Sequence, residues 1–459
     1  MKRFRWLGFV LFLYVICSGC GETFRPIIIP NPPTFPNPAA AHTVVSINDN
    51  GTVVPGSAMV IDVSGDTDVS VANVGLAPVH AVQQTASQFL VVNHSVTGAV
   101  ADSLTKLSFN SILISSATTI SLPPNSAPNF VATTESSQAY VLMPSYLDPV
   151  TSTVVPSIAV VNTSSNSIVA TIPVGNNPVA MAETPNTQKL YVANQGDGTV
   201  SAFNTIDRSS RSISGTFTSP PIWLSARSDS QRVYALEATG TLAWLDTTST
   251  AGPDTLTETT ISVPGATKMV YDGNLNRLYV PGGSQVAIVD VSQPAPSTIA
   301  SIPITAIPPA RRGAQDPCST TATTTLNTVD VAALPDSSRA YVGTYYEDAS
   351  DNICPQVTVI DAVSKTIKTS TAIPGFTAYD AFCSASQSQR APRFRIMMAA
   401  GGDSTRAYLS SCDGGNVNIV DTSSDAYIVN IPAPVGSRPP ILPSQQNPPQ
   451  NPVFLIAGP

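Results

Sequence analysis

The chain has 459 residues, of which 11% are charged, and a formal net charge of −8 at pH 7. That acidic balance argues against nucleic-acid binding and against electrostatic docking on anionic lipid. Three histidines are present, and GxSxG, HExxH and CxxCH are absent, which removes the hydrolase-elbow, zinc-protease and haem-attachment signatures.

Residues 1–20 carry Lys2, Arg3 and Arg5, then the apolar run 6–16, then Cys17-Ser18-Gly19-Cys20. A basic start, a short apolar run and small residues before a cut describe a secretory signal. The run is too short to span a bilayer as a helix. Ser18-Gly19-Cys20 resembles a bacterial lipobox, with Cys17 where such motifs prefer Leu. The resemblance implies lipidation of Cys20, and Gly21 fits sorting to an outer membrane; an ordinary cleaved signal is the alternative. Residues 21–42 hold six prolines and no strand alternation, so they are expected to form an extended tether.

Residues 43–459 read as a propeller domain built from a repeated four-strand unit. The clearest copy is 175–217. Its strands are expected at 179–182, 189–193, 199–204 and 211–217, with turns at Pro185-Asn186 and Asp197-Gly198. First-strand sequences recur at Pro78-Val79-His80, Pro128-Asn129-Phe130, Pro178-Val179-Ala180, Pro221-Ile222-Trp223, Ala266-Thr267-Lys268, Thr328-Val329-Asp330 and Phe394-Arg395-Ile396. Second strands recur as Phe89-Leu90-Val91, Tyr140-Val141-Leu142, Tyr191-Val192-Ala193, Tyr234-Ala235-Leu236, Tyr279-Val280, Tyr341-Val342 and Tyr408-Leu409. Repeats of this length signal propellers, because one sheet cannot bury both its faces alone. A pair of β-sandwiches would not need strands that stay in phase.

On these motifs the chain resembles the YVTN family of β-propeller repeats found in exported bacterial and archaeal proteins, most closely over 168–175 and 180–204. The resemblance implies an all-β propeller of four-stranded antiparallel blades but leaves function open, since propellers host binding, scaffolding and several chemistries. Residues 43–74 look like second to fourth strands lacking a first, and Pro452-Val453-Phe454-Leu455-Ile456 looks like a first strand alone. Joining them closes the ring as a split eighth blade and removes the open edge; a seven-blade ring is the alternative.

Besides Cys17 and Cys20 there are Cys318, Cys354, Cys383 and Cys412. In an exported protein an even set suggests two disulfides. In the propeller reading, the loop into a first strand and the loop between second and third strands share one face. Cys318 and Cys354 occupy those places in the sixth unit, and Cys383 and Cys412 in the seventh. The expected pairs are therefore Cys318–Cys354 and Cys383–Cys412. Metal binding competes poorly, because there is no CxxC and no histidine in the second half.

Long insertions at 305–327, 345–355, 376–392 and 143–157 project from that same face. They present Arg311, Arg312, Tyr345, Tyr346, Glu347, Asp348, Phe376, Tyr379, Phe382 and Arg390, residue types that anchor binding. His80 is the channel candidate, while Asp246, Asp290, Asp361 and Asp421 end third strands and are expected to cap turns. No cofactor and no metal are expected. The favoured function is a lipid-anchored envelope scaffold that binds a protein or surface polymer through the decorated face. The alternative is a lactonase-like or quinoprotein-like enzyme working in the channel with His80, Asp330 and Arg395.

Overall fold

A computed structural model describes residues 43–51, 53–94, 102–134, 137–313, 316–318, 326–377, 383, 395–437 and 448–457. The signal sequence, Cys20 and the tether lie outside the described residues, as do Tyr379, Phe382 and Arg390. The chain divides into two compact units, Met1–Pro30 and Asn31–Pro459, and every described residue belongs to the second.

That second unit is an eight-bladed β-propeller. Blades 1 to 7 follow the chain, and their innermost strands are Pro78–Thr85, Phe130–Ala132, Pro178–Glu183, Pro221–Ala226, Val270–Asp272, Asn327–Ala333 and Ile396–Ala400. Blade 8 is the split blade: Thr43–Asp49, Pro55–Asp62 and Thr67–Leu76 form its outer three strands, and Asn451–Ala457 is innermost. The register runs antiparallel from Val44↔Ala457 to Asp49↔Asn451. Each inner strand touches the next, and Asn451–Ala457 touches those of both blade 7 and blade 1, so the ring closes.

Sandwiching explains the sequence pattern. The second strands Lys189–Asn194 and Arg232–Glu237 have neighbouring blades on both faces and are buried almost throughout. Outer strands such as Ser167–Pro173 alternate toward solvent. The second-strand tyrosines Tyr140, Tyr191, Tyr234, Tyr279, Tyr341 and Tyr408 are all buried between blades. Third strands end as expected: Asp290 accepts the N–H of Ser292 at 2.8 Å, and Asp361 accepts those of Val363 and Ser364 at 3.0 and 2.7 Å. These bonds hold the exposed Asp361 carboxyl below its ordinary pKa, Ser364 contributing most.

Three strands differ from expectation. In blade 5, Ala266 only bridges Gly282, and regular pairing begins at Val270. In blade 2 the inner strand starts at Phe130 rather than at Pro128. The expected outer strand 211–217 of blade 3 is reduced to Ser210–Arg211, after which Ile213–Ser214 pairs parallel with Asp254 and Thr255 of blade 4. The cause is electrostatic. Arg211 donates to Asp254 at 3.1 Å and to the carbonyls of Ser249 and Gly252 at 2.9 Å, which draws the chain across the seam. Gly215, at φ +103°, makes the turn away with its Cα against Leu256.

Candidate functional site

Side chains from the inner strands meet across the channel, where Phe130 is buried and His80, Trp223 and Phe454 stay half-buried. His80 stacks on Phe130 with ring centroids 3.8 Å apart and tilts against Phe454 at 4.7 Å. Phe130 meets Trp223 edge-on at 6.0 Å, and Trp223 of blade 4 packs on the apolar cluster of blades 7 and 8 across the ring. The Lys268 ammonium lies 5.8 Å from the Trp223 ring and pairs with Asp330 at 2.7 Å. The other Asp330 oxygen accepts the N–H of Met398 at 2.9 Å.

Burial, with a smaller push from Lys268, lowers the His80 pKa to about 3. Its ring is therefore neutral, and Nδ1 accepts the N–H of Val131 at 3.4 Å. The structure thus brings His80 and Asp330 into one chain of contacts, but each is already engaged. Arg395 turns instead to the loops, pairing with Glu347 at 2.5 Å and with Asp413 at 3.3 Å.

The loop face is braced by the two expected disulfides, Cys318–Cys354 and Cys383–Cys412. Cys318, Cys354 and Asp348 lie close enough to suggest a metal cluster, but both sulfurs are spent in the bridge. The second and third strands of blade 6 lengthen into the hairpin Arg339–Glu347 and Asn352–Asp361. Phe376–Thr377, on the way to blade 7, pairs with that hairpin at Ile353 and Asn352. Phe376 also lies against Gly414, where any larger residue would collide with its ring. Blades 6 and 7 are thereby fastened together on this side.

The candidate residues divide into two groups. Arg311 is exposed, and Tyr345, Glu347 and Phe376 are half-buried, with the Arg395 guanidinium 5.9 Å above the Tyr345 ring. Arg312, Tyr346 and Asp348 are buried, which corrects their place on the face. Arg312 donates to the carbonyls of Pro355 and Ile373 and lies over the Tyr346 ring at 5.6 Å. Burial holds its pKa below the usual guanidinium value. Tyr346 donates to the Ile307 carbonyl, and Asp348 accepts the N–H groups of Ser350 and Asn352. All three are thus bonded within the insertions.

On the opposite side the blades are strapped by cations that the strand motifs alone did not single out. Lys189 of blade 3 donates to the Thr247 and Ser249 carbonyls and to Asp254 of blade 4 at 2.9 Å. Arg277 reaches Ala362 of blade 6, Arg339 reaches Thr422 and Asp425 of blade 7, and Arg406 reaches Asp66 of blade 8 at 3.0 Å. The signal was present as Lys189-Leu190-Tyr191, Arg232-Val233-Tyr234, Arg277-Leu278-Tyr279, Arg339-Ala340-Tyr341 and Arg406-Ala407-Tyr408. Blade 2 carries Gln138 at that place. The seam it forms with blade 3 holds Glu183, whose pKa burial raises to about 7 against the hydrogen bonding of Thr134.

No protein-family model matches the chain, and no curated protein matches it. Solved structures share the fold. Apo AztD from Citrobacter koseri superposes with a TM-score of 0.57 at 11% identity, over 91% of this chain and 98% of that one. Dihydro-heme d1 dehydrogenase NirN in complex with DHE gives 0.58 at 12% identity, over 89% and 76%. A functionally unknown protein from Desulfotomaculum acetoxidans DSM 771 gives 0.50 at 13% identity, over 72% and 95%. The molecule is an eight-bladed β-propeller similar to these proteins in architecture.

Proposed function

We propose that this propeller is a binding module of the cell envelope. The ring acts as a rigid mount, the insertions of blades 6 and 7 meet a partner protein or surface polymer, and a lipid on Cys20 holds the protein at the outer membrane. The observation that carries the reading is the elaboration of the loop face over blades 6 and 7, beside the channel residues of the inner strands. In the channel the rings of His80, Phe130, Trp223 and Phe454 pack on one another. The loop face is instead locked by two disulfides around a partly exposed Tyr345, Glu347, Phe376 and Arg395. A rigid aromatic and charged patch binds at low entropic cost. The disulfides also support an exported, oxidising address. Among the described residues, no helix is long and apolar enough to cross a membrane.

A lactonase-like or quinoprotein-like channel enzyme would need convergent free groups, whereas His80 accepts from Val131 and Asp330 pairs with Lys268. The discriminating experiment is crosslinked capture from the native envelope, comparing wild type with Arg311→Glu/Tyr345→Ala and with a distant control, Val363→Ser. The proposal expects one crosslinked species that is lost in the face variant and kept in the control. Equal capture by all three, with melting curves unchanged, would overturn it.

A further inference from the structure

Blade 3 is missing most of its outer strand. In blade 5 the third strand pairs along its length, from Gln285↔Pro303 to Asp290↔Ser297. In blade 3 pairing consists of Ala202↔Arg211 and Phe203↔Ser210, and then the chain departs for blade 4. Thr199 is exposed, and Val200 and Ser201 are half-buried. The equivalent pairs Ile158 and Ala159 in blade 2, and Val286 and Ala287 in blade 5, are fully covered.

The backbone there faces outward with its polar groups ready. Asn204 donates its N–H outward to Ser209 at 2.9 Å, while Thr205 donates inward to Gln188 at 3.0 Å. Strand alternation therefore points the N–H and C=O of Ala202 and Val200 outward as well. Ala202 is met by Arg211, and the register supplies no partner for Val200. Natural edges are guarded by proline, charge or a bulge. Thr199-Val200-Ser201 has none of these, and the bulge that breaks the outer pair in blades 1, 2, 5, 6 and 7 is absent.

The rest of the ring shows what fills such a slot. Outer strands Ser167–Pro173 (SIVATIP) and Ser297–Pro303 (STIASIP) are extended, uncharged and β-branched. We propose that the blade 3 edge accepts an extended, uncharged, β-branched segment of a partner protein as its fourth strand, hydrogen-bonded to the backbone of Val200. This is strand addition to an open sheet edge. The Val200 side chain itself packs on the core cluster, so main-chain bonds rather than a deep pocket hold the segment.

The test titrates the full-length protein into a fluorescein-labelled Ser-Ile-Val-Ala-Thr-Ile-Pro peptide and reads anisotropy. A second peptide carries N-methyl groups on alternate amides, and a Val200→Pro variant removes the outward N–H. The expected result is saturable binding to wild type, weakened about tenfold or more by N-methylation and by Val200→Pro, about the loss of a hydrogen bond or two. Arg311→Glu should leave this titration unchanged, which separates the slot from the loop face. Absence of saturable binding, or equal binding of the N-methylated peptide, would overturn the proposal. If Val200→Pro does not fold, the two peptides on wild-type protein decide alone.

Discussion

Asp254 is fully buried between the Lys189 ammonium, the Arg211 guanidinium and the Tyr191 hydroxyl. Its carboxylate neutralises one cation, and the carbonyls of Thr247, Ser249 and Gly252 help to solvate both. Removing one member of such a buried set leaves charge without compensation. Asp254→Ala should therefore lower stability by about 3–5 kcal/mol in a denaturant titration, and it should release Ile213–Ser214 from blade 4. Glu183 gives a second residue-scale prediction. Its pKa rises from 4.5 to about 7 on folding, so the folded chain holds the proton more tightly than the unfolded chain. The stability it contributes is complete below about pH 4.5 and is lost as pH rises through 7. Glu183→Gln should match wild type near pH 4 and exceed it at pH 8 by roughly 3 kcal/mol; coincident curves at pH 8 would refute this. Neither residue stood out in the sequence. The meaning of Asp254 depends on two cations from another blade, and that of Glu183 on its burial beside Thr134 of the neighbouring blade.

At the scale of elements, the decorated hairpins depend on their covalent staples. Cys318–Cys354 and Cys383–Cys412 span 36 and 29 residues. Loop-closure entropy makes each worth about 3–4 kcal/mol. Replacing Cys383 and Cys412 with Ser should lower the denaturant midpoint accordingly and speed proteolysis between blades 6 and 7; an unchanged digestion pattern would argue that the strand pairing of Phe376–Thr377 suffices alone. These pairs were legible from sequence because propeller topology puts the two loop types of one blade on one side. The strand repeats were legible for a similar reason: period-2 apolar runs and Asp-Gly or Pro-Asn turns act locally. Burial within an insertion was not legible. Arg312 and Tyr346 have the composition of a binding surface, yet the hairpin of blade 6 folds over them. The truncated outer strand of blade 3 was not legible for another reason. Arg211 and Gly215 look ordinary in a strand until Asp254 is known to lie across the seam.

For the molecule as a whole, closure of the ring rests on the docking of the last strand against the first. Val44 to Asp49 pair with Ala457 to Asn451 although some four hundred residues separate them in sequence. Such a closure leaves no free edge between blades 7 and 1, and it places Phe454 against His80 inside the channel. Hydrogen exchange read by mass spectrometry on the unmodified protein tests it most directly. Amides of Asn451–Ala457 should exchange as slowly as those of Thr43–Asp49, because both strands lie in one sheet. Exchange of the C-terminal strand within seconds, while Thr43–Asp49 stays protected, would contradict it.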